Sequence, residues 1–200
     1  MSETSEGRGG AARIEAFSDG VIAIIITIMV LELKAPEEPG LFHLKPLWPV
    51  FLAYMLSYAY VAVYWVNHHR MFAHATHVTN ALLWSNMALL FALSLVPFAT
   101  AYLGEQHFSQ PATTLYMCVM MFPSFAYAWL QSVVRRTGKQ DDATIAYHQR
   151  TQRKGALASI LYAFGIALSL VSPWAGLACA AIVALLWFLP ASPIDRLFGE

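Results

Sequence analysis

Six runs of mostly apolar residues, each about long enough to cross a lipid bilayer, follow one another along this chain. A crossing takes about 20 such residues at 1.5 Å of rise each. The runs extend from about Ala16 to Leu33, Leu47 to Val66, Ala81 to Leu103, Thr113 to Val134, Gly155 to Val171 and Trp174 to Leu189. Breakers fill the gaps: Pro36, Pro39 and Gly40, then His74 to Asn80, Gly104 to Pro111, Arg135 to Lys154, and Ser172 with Pro173. Periodicity alone does not separate strand from helix in a run such as VIAIIITIMV. The bilayer decides for helix, because lipid offers the backbone no hydrogen-bond partner. The expected fold is therefore an all-α integral membrane protein with six transmembrane helices. Pro97 and Pro123 fall inside the third and fourth runs, where each removes a backbone donor and is expected to kink its helix.

Composition agrees. Only 12% of the 200 residues are charged and 58% are hydrophobic, whereas a soluble domain carries about a quarter charged residues. Most of the surface must then face something other than water. Net charge is zero, which suggests neither nucleic acid nor an acidic substrate. Cys118 and Cys179 lie in apolar stretches and form no disulfide framework or metal-ligand spacing. The first run ends in Glu32 and Lys34, not at a small-residue cleavage site, and reads as a mature span.

With the N-terminus inside, the cytoplasmic segments hold Arg8, Arg13, Arg70, Arg135, Arg136, Lys139, Arg150, Arg153, Lys154 and Arg196, leaving Lys34 and Lys45 outside. That asymmetry is the positive-inside pattern, and six spans then put both termini in the cytoplasm. Residues 1–12 read as a disordered tail, 13–190 as the membrane domain with a cytoplasmic loop at 135–154, and 191–200 as a short C-terminal tail. The 135–154 loop has room for a short surface helix. Trp48, Trp129, Trp174 and Trp187 fall near span ends, as an interfacial belt places them.

The first span carries the chemistry. It opens Arg13-Ile-Glu-Ala-Phe17-Ser18-Asp19, and an ionised Asp in such a helix costs about 2.5–3.5 kcal/mol on insertion scales. Asp19 therefore needs a partner; a salt bridge to Arg13 is the plain structural choice. At about 100° per residue, Phe17, Gly20, Ile24, Thr27, Ile28 and Leu31 share one face, while Ser18 and Asp19 point roughly 120–140° from Ile24. One face is thus aliphatic with a single hydroxyl, and the polar pair points towards neighbouring helices. Such a stripe suits lipid or core packing as well as a pore. Thr27 has an ordinary use too, bonding the carbonyl one turn back.

The second span ends Trp65-Val-Asn67-His68-His69-Arg70, with His74 and His77 following. Four histidines so close raise metal, haem or proton handling as a function. The spacing is poor for one metal, because adjacent His68 and His69 point about 100° apart on a helix. Asn86, in the third span, is an uncharged polar group that also wants a partner. Asp19, His68 or His69, and Asn86 share one depth and are expected to form a polar cluster.

The Arg13-x-x-x-Phe17-Ser18-Asp19 motif resembles the signature of the transmembrane protein 175 family of potassium channels. Trp65-x-x-His68-His69-Arg70-x-Phe72 is similar to that family's second helix, and Asn86 with Leu95-Val-Pro97-Phe98-x-Thr100 to its third. The second half of the chain matches in helix count alone. The resemblance implies a homotetramer in the plasma membrane whose pore takes one first helix from each subunit. It places a hydrophobic constriction at Ile24, a hydroxyl ring at Thr27 and a further hydrophobic ring at Leu31; Ile28 shares their face. It gives Arg13, Ser18 and Asp19 the task of holding helices together, with Phe17, Trp65, His68, His69 and Asn86 in the same network. The permeant ion would be potassium, with modest preference over sodium, and neither cofactor nor metal is implied.

The chain has no Thr-Val-Gly-Tyr-Gly filter sequence, so a carbonyl-lined filter is not expected. It also has no Gly-x-Ser-x-Gly, His-Glu-x-x-His or phosphate loop, and no enzymatic activity is expected. Two other readings stay open at this level. One is a redox or metal-binding membrane protein using His68, His69, His74 and His77, and the other is a proton-permeable form of the channel.

Overall fold

The computed structural model describes residues 3–138 and 141–188, with side chains from Gly9 onward. Every regular element among them is helical. The order is α1 (Glu3–Leu31), a 3-10 turn (Leu41–Leu47), α2 (Trp48–Phe72), α3 (Asn80–Ser94), α4 (Val96–Glu105), α5 (Gln110–Thr137), α6 (Asp142–Ser169) and α7 (Pro173–Phe188). Four stretches are long and apolar enough to cross a membrane: Gly9–Leu31, Leu41–Phe72, Asn80–Glu105 and Gln110–Thr137. The apolar α7 is shorter, at 16 residues, or roughly 24 Å of helix.

Local chemistry explains the boundaries. Pro49, Pro97 and Pro111 stand in the first turns of α2, α4 and α5, where a missing N–H leaves nothing unsatisfied. The Thr79 side chain accepts from Leu82 N at 3.1 Å and starts α3. The Asp141 carboxylate accepts from Thr144 N at 2.8 Å and starts α6. Pro97 does more than kink the third run: it divides it into α3 and α4 at Leu95, whose N–H bonds the Ala92 carbonyl in a tightened turn. The α5 helix carries on through Pro123.

Two polar segments carry more regular structure than their composition suggests. The stretch expected as a disordered tail is helical from Glu3 onward, continuous with α1. No proline interrupts it, Ala11 is buried, and Gly10 lies against Val78, where an added Cβ would come within 2.8 Å of a methyl. The 135–154 loop, expected to have room for a short surface helix, is mostly helix, since α5 runs to Thr137 and α6 begins at Asp142. Its polar first turns are held on α5, where Gln131 Nε2 donates to the His148 carbonyl at 3.2 Å. Lys139, Arg196 and the expected C-terminal tail lie outside the described residues.

The helices pack in sequence, α3 on α5, α5 on α6 and α6 on α7, while α2 lies on α4 and α1 spans α2, α3 and α4. Val61, Leu82, Leu89, Leu93, Leu103, Met117 and Leu130 form the buried apolar centre. Small residues let α6 and α7 come together, as is usual where lipid supplies no hydrophobic drive. A Cβ at Gly176 would sit 2.8 Å from Ser169 Cβ and 3.1 Å from the Gly165 carbonyl oxygen. At the end where α2 starts, Trp48 stacks on Trp174 at 6.4 Å between ring centres, with Phe108 against both.

Candidate functional site

The two faces of α1 differ sharply. Ala11, Ser18, Ile22, Ile25 and Met29 are buried against α2, α3 and α4, with Ile22 and Met29 at 1% exposure. The opposite stripe is Phe17, Gly20, Ile24, Thr27, Ile28 and Leu31, and all of it is exposed on the single chain. Ile24 is 58% exposed and Leu31 74%. This is the face that 100° geometry picks out.

Thr27 donates its hydroxyl proton to the Ile24 carbonyl at 2.8 Å. The back-bond is the ordinary use of such a threonine, and it also orients the group. With the proton turned to its own helix, the oxygen presents lone pairs outward, the polarity that suits a cation. A cleft of about 490 Å³ runs beside the stripe between α1 and α4, with Ile24, Ile28, Glu32, Ser94 and Phe98 in its walls.

Behind the stripe is a buried hydrogen-bonded lock. Ser18 Oγ donates to the Ile14 carbonyl at 2.8 Å, so its single proton is committed. Asn86 Nδ2 must then donate to Ser18 Oγ, at 2.9 Å. That leaves Asn86 Oδ1 to accept from His68 Nε2 at 2.8 Å. The order of donors assigns the proton of a neutral His68 to Nε2. His68 also stacks on Phe72, with 4.4 Å between ring centres. Ser18 and His68 are wholly buried and Asn86 nearly so. The lock joins α1, α2 and α3 at one depth.

Asp19 and His69 take no part in it. Trp65 Nε1 donates to Asp19 Oδ1 at 2.9 Å, and His69 Nδ1 lies 2.7 Å from Glu15 Oε1. These two contacts lie on the exposed side of the α1–α2 seam. The expected single cluster is therefore two: a buried Ser18–Asn86–His68 chain and an outer pair of α1–α2 ties. Among the described residues no ion pair joins Asp19 to Arg13. Arg13 is exposed and borders a recess with Phe17, Val78, Asn86 and Met87. Glu15 escaped the sequence reading because no motif singles it out; its place one turn before Asp19, on the same seam, was the available signal.

A further polar group deeper in the bundle was also missed. Thr100 Oγ1 lies 2.7 Å from Ser57 Oγ, itself 3.1 Å from the Tyr116 hydroxyl. It ties α4, α2 and α5 together, and Thr100 also bonds the Val96 carbonyl within its own helix.

The four clustered histidines have different surroundings, His77 being exposed to one side. His68 joins the lock and His69 pairs with Glu15, while His74 sits beside Thr144, Tyr147 and His148 on α6. No three His, Cys, Asp or Glu side chains converge on one point among the described residues. Burial, together with His74 and Arg135 beside it, pushes the His148 imidazole below its usual value.

Residues 13–97 match the family described as endosomal/lysosomal potassium channel TMEM175. A protein of Chryseobacterium sp. strain P1-3 named as a potassium channel is 42% identical over 94% of this chain and 97% of its own length. Another of that name, from Streptomyces collinus, is 34% identical over 92% and 94%. The crystal structure of a lysosomal potassium-selective channel TMEM175 homolog from Chamaesiphon minutus superposes with a TM-score of 0.80. It is 30% identical and covers 90% of this chain and 96% of that one.

Proposed function

This chain belongs to the TMEM175 channel family, and from that premise we propose that it forms a potassium-conducting channel whose pore is enclosed by the α1 stripe of each subunit. The assembly is a homotetramer in the plasma membrane. Each subunit crosses six times, α3 and α4 making one crossing and the later part of α6 and α7 the last two, with both termini in the cytoplasm.

The observation that carries the reading is the division of α1. An apolar stripe with one outward-facing hydroxyl is left uncovered, while a buried three-residue lock fixes the helix from behind. In the tetramer Ile24 forms the narrow neck, Thr27 the hydroxyl ring, and Ile28 and Leu31 continue the wall. Arg13, Phe17, Ser18, Asp19, Trp65, His68, His69 and Asn86 brace it.

Selection follows from the neck. An apolar ring offers no ligands to replace hydration water, so an ion passes by shedding part of its shell. Sodium holds water more tightly than potassium and meets the higher barrier. The discrimination is modest because no rigid carbonyl cage compares the two ions. Opening is a widening or wetting of the Ile24 ring.

The test is purified protein in liposomes under opposed potassium and sodium gradients. Potassium efflux above that of protein-free liposomes, exceeding sodium efflux at equal concentration, is the expected result. No flux from protein that unfolds cooperatively, or sodium flux equal to potassium flux, would reject the proposal.

A further inference from the structure

A cavity of about 190 Å³ lies between α2, α5, α6 and α7, and no described α1 side chain lines it. It exists because α2 leans on α4 and touches α5 only lightly, and because the facing turn of α6 is built from small residues. Gly155, Ala156, Ala158 and Ser159 follow one another there, and a Cβ added at Gly155 would meet nothing within 4 Å.

Five aromatic side chains share the remaining walls with aliphatic residues and the amides of Asn67, Gln131 and Gln152. Tyr60 and Tyr64 lie 4.8 Å apart between ring centres, and Tyr64 meets Tyr127 edge-on at 5.9 Å. Tyr127 meets Trp187 edge-on at 6.4 Å and Tyr60 meets Tyr162 at 6.2 Å. Polar groups are interspersed. Ser124 and Ser159 bond across the α5–α6 wall at 2.8 Å. The Tyr162 side chain, 1% exposed, lines the cavity, and its hydroxyl has no hydrogen-bond partner among the described residues. Among the described residues no charged side chain takes part in the lining.

We infer that this cavity binds an uncharged, single-ring amphiphile that carries a hydroxyl or a similar hydrogen-bonding group. Size sets the upper bound, because an apolar protein cavity of about 150 Å³ holds benzene. Aromatic walls stack on or meet the edge of a ring. The unpaired Tyr162 hydroxyl and the serine pair supply hydrogen bonds to a polar substituent. A charged ligand is disfavoured, since the lining gives no counter-charge and burying an unpaired ion is costly. The site stands apart from the ion path and does not depend on it.

Trp187 makes the binding visible. The bromine of 4-bromophenol quenches indole fluorescence on contact, and the difference between the intact protein and Trp187→Phe isolates this tryptophan. In lipid nanodiscs the expected result is a saturable quenching component assigned to Trp187. It is lost in Ser159→Leu and, from the opposite wall, in Ala184→Phe. Both variants fill the same space from different helices, and whichever unfolds with the same cooperativity as the parent gives the answer. Quenching that rises in proportion to probe without saturating is partition into the bilayer and overturns the inference. Saturable quenching that survives the fillings puts the probe elsewhere and overturns it too.

Discussion

Liposomes carrying Ile24→Asn are expected to lose potassium about tenfold faster than those carrying the parent protein, and to pass sodium almost as readily. The argument rests on what an apolar neck does. A ring of Ile24 side chains offers water no hydrogen bonds, so the constriction is dry at rest and an ion must give up hydration to enter. An amide of similar length supplies a carbonyl oxygen and an N–H group from each subunit. Water then fills the neck, and the dehydration barrier falls for both ions but more for sodium, which had more to lose. Each 1.4 kcal/mol removed from the barrier is roughly a tenfold gain in rate. Ile24 is exposed on the single chain, so the substitution orphans no buried group within the subunit and the fold should persist. Unchanged flux and selectivity in well-folded Ile24→Asn would place the constriction elsewhere.

Asn86→Leu should have the largest effect on stability. Leucine fits the volume but removes both the acceptor for His68 Nε2 and the donor to Ser18 Oγ. Each buried group left unpaired costs about 1–3 kcal/mol, and the lock joins three helices. The unfolding midpoint in detergent should fall by several degrees, and α1, released from α2 and α3, should lose its fixed position at the axis. The double variant His68→Leu with Asn86→Leu should recover part of the loss, because replacing both partners removes the orphaned N–H. Asp19→Asn is the contrast. It keeps an oxygen for Trp65 Nε1 on the exposed side of the seam and should shift the midpoint little. A drop for Asp19→Asn equal to that for Asn86→Leu would contradict the distinction between buried lock and outer ties.

Which parts of this were legible in the sequence depends on which physical rule acts alone. The α1 stripe was readable because helical geometry fixes relative direction: given a helix, Phe17, Ile24, Thr27 and Leu31 must share a face. The meeting of Asn86 with one of His68 and His69 followed from equal depth, since polar groups in lipid must find one another, but depth did not say which. Depth carries no azimuth, however. It could not show that Ser18 would turn to Asn86 while its neighbour Asp19 turned to Trp65, nor that His69 would take Glu15. Those pairings depend on the crossing of α1 over α2, which tertiary packing sets. The polar ends were legible only in part for a related reason. Residues 3–12 and 142–154 look like tail and loop by composition, yet both are helix, because Ala11 and His148 find seats on neighbouring elements. The break at Leu95 was half visible: Pro97 announced an interruption, but its severity depended on the turn before it. The tyrosine-walled cavity had no linear signature, since its residues come from four helices.

The most direct measurement asks whether the α1 stripe meets water. Thr27→Cys, in protein whose partly exposed Cys118 is replaced by serine and whose buried Cys179 is kept, is treated in liposomes with a positively charged, membrane-impermeant methanethiosulfonate. A shared aqueous axis predicts that the reagent modifies residue 27 and blocks potassium flux, with the background protein unaffected. Modification of that cysteine only by lipid-soluble maleimides, with flux untouched by the charged reagent, would mean that the stripe faces lipid and that the pore lies elsewhere.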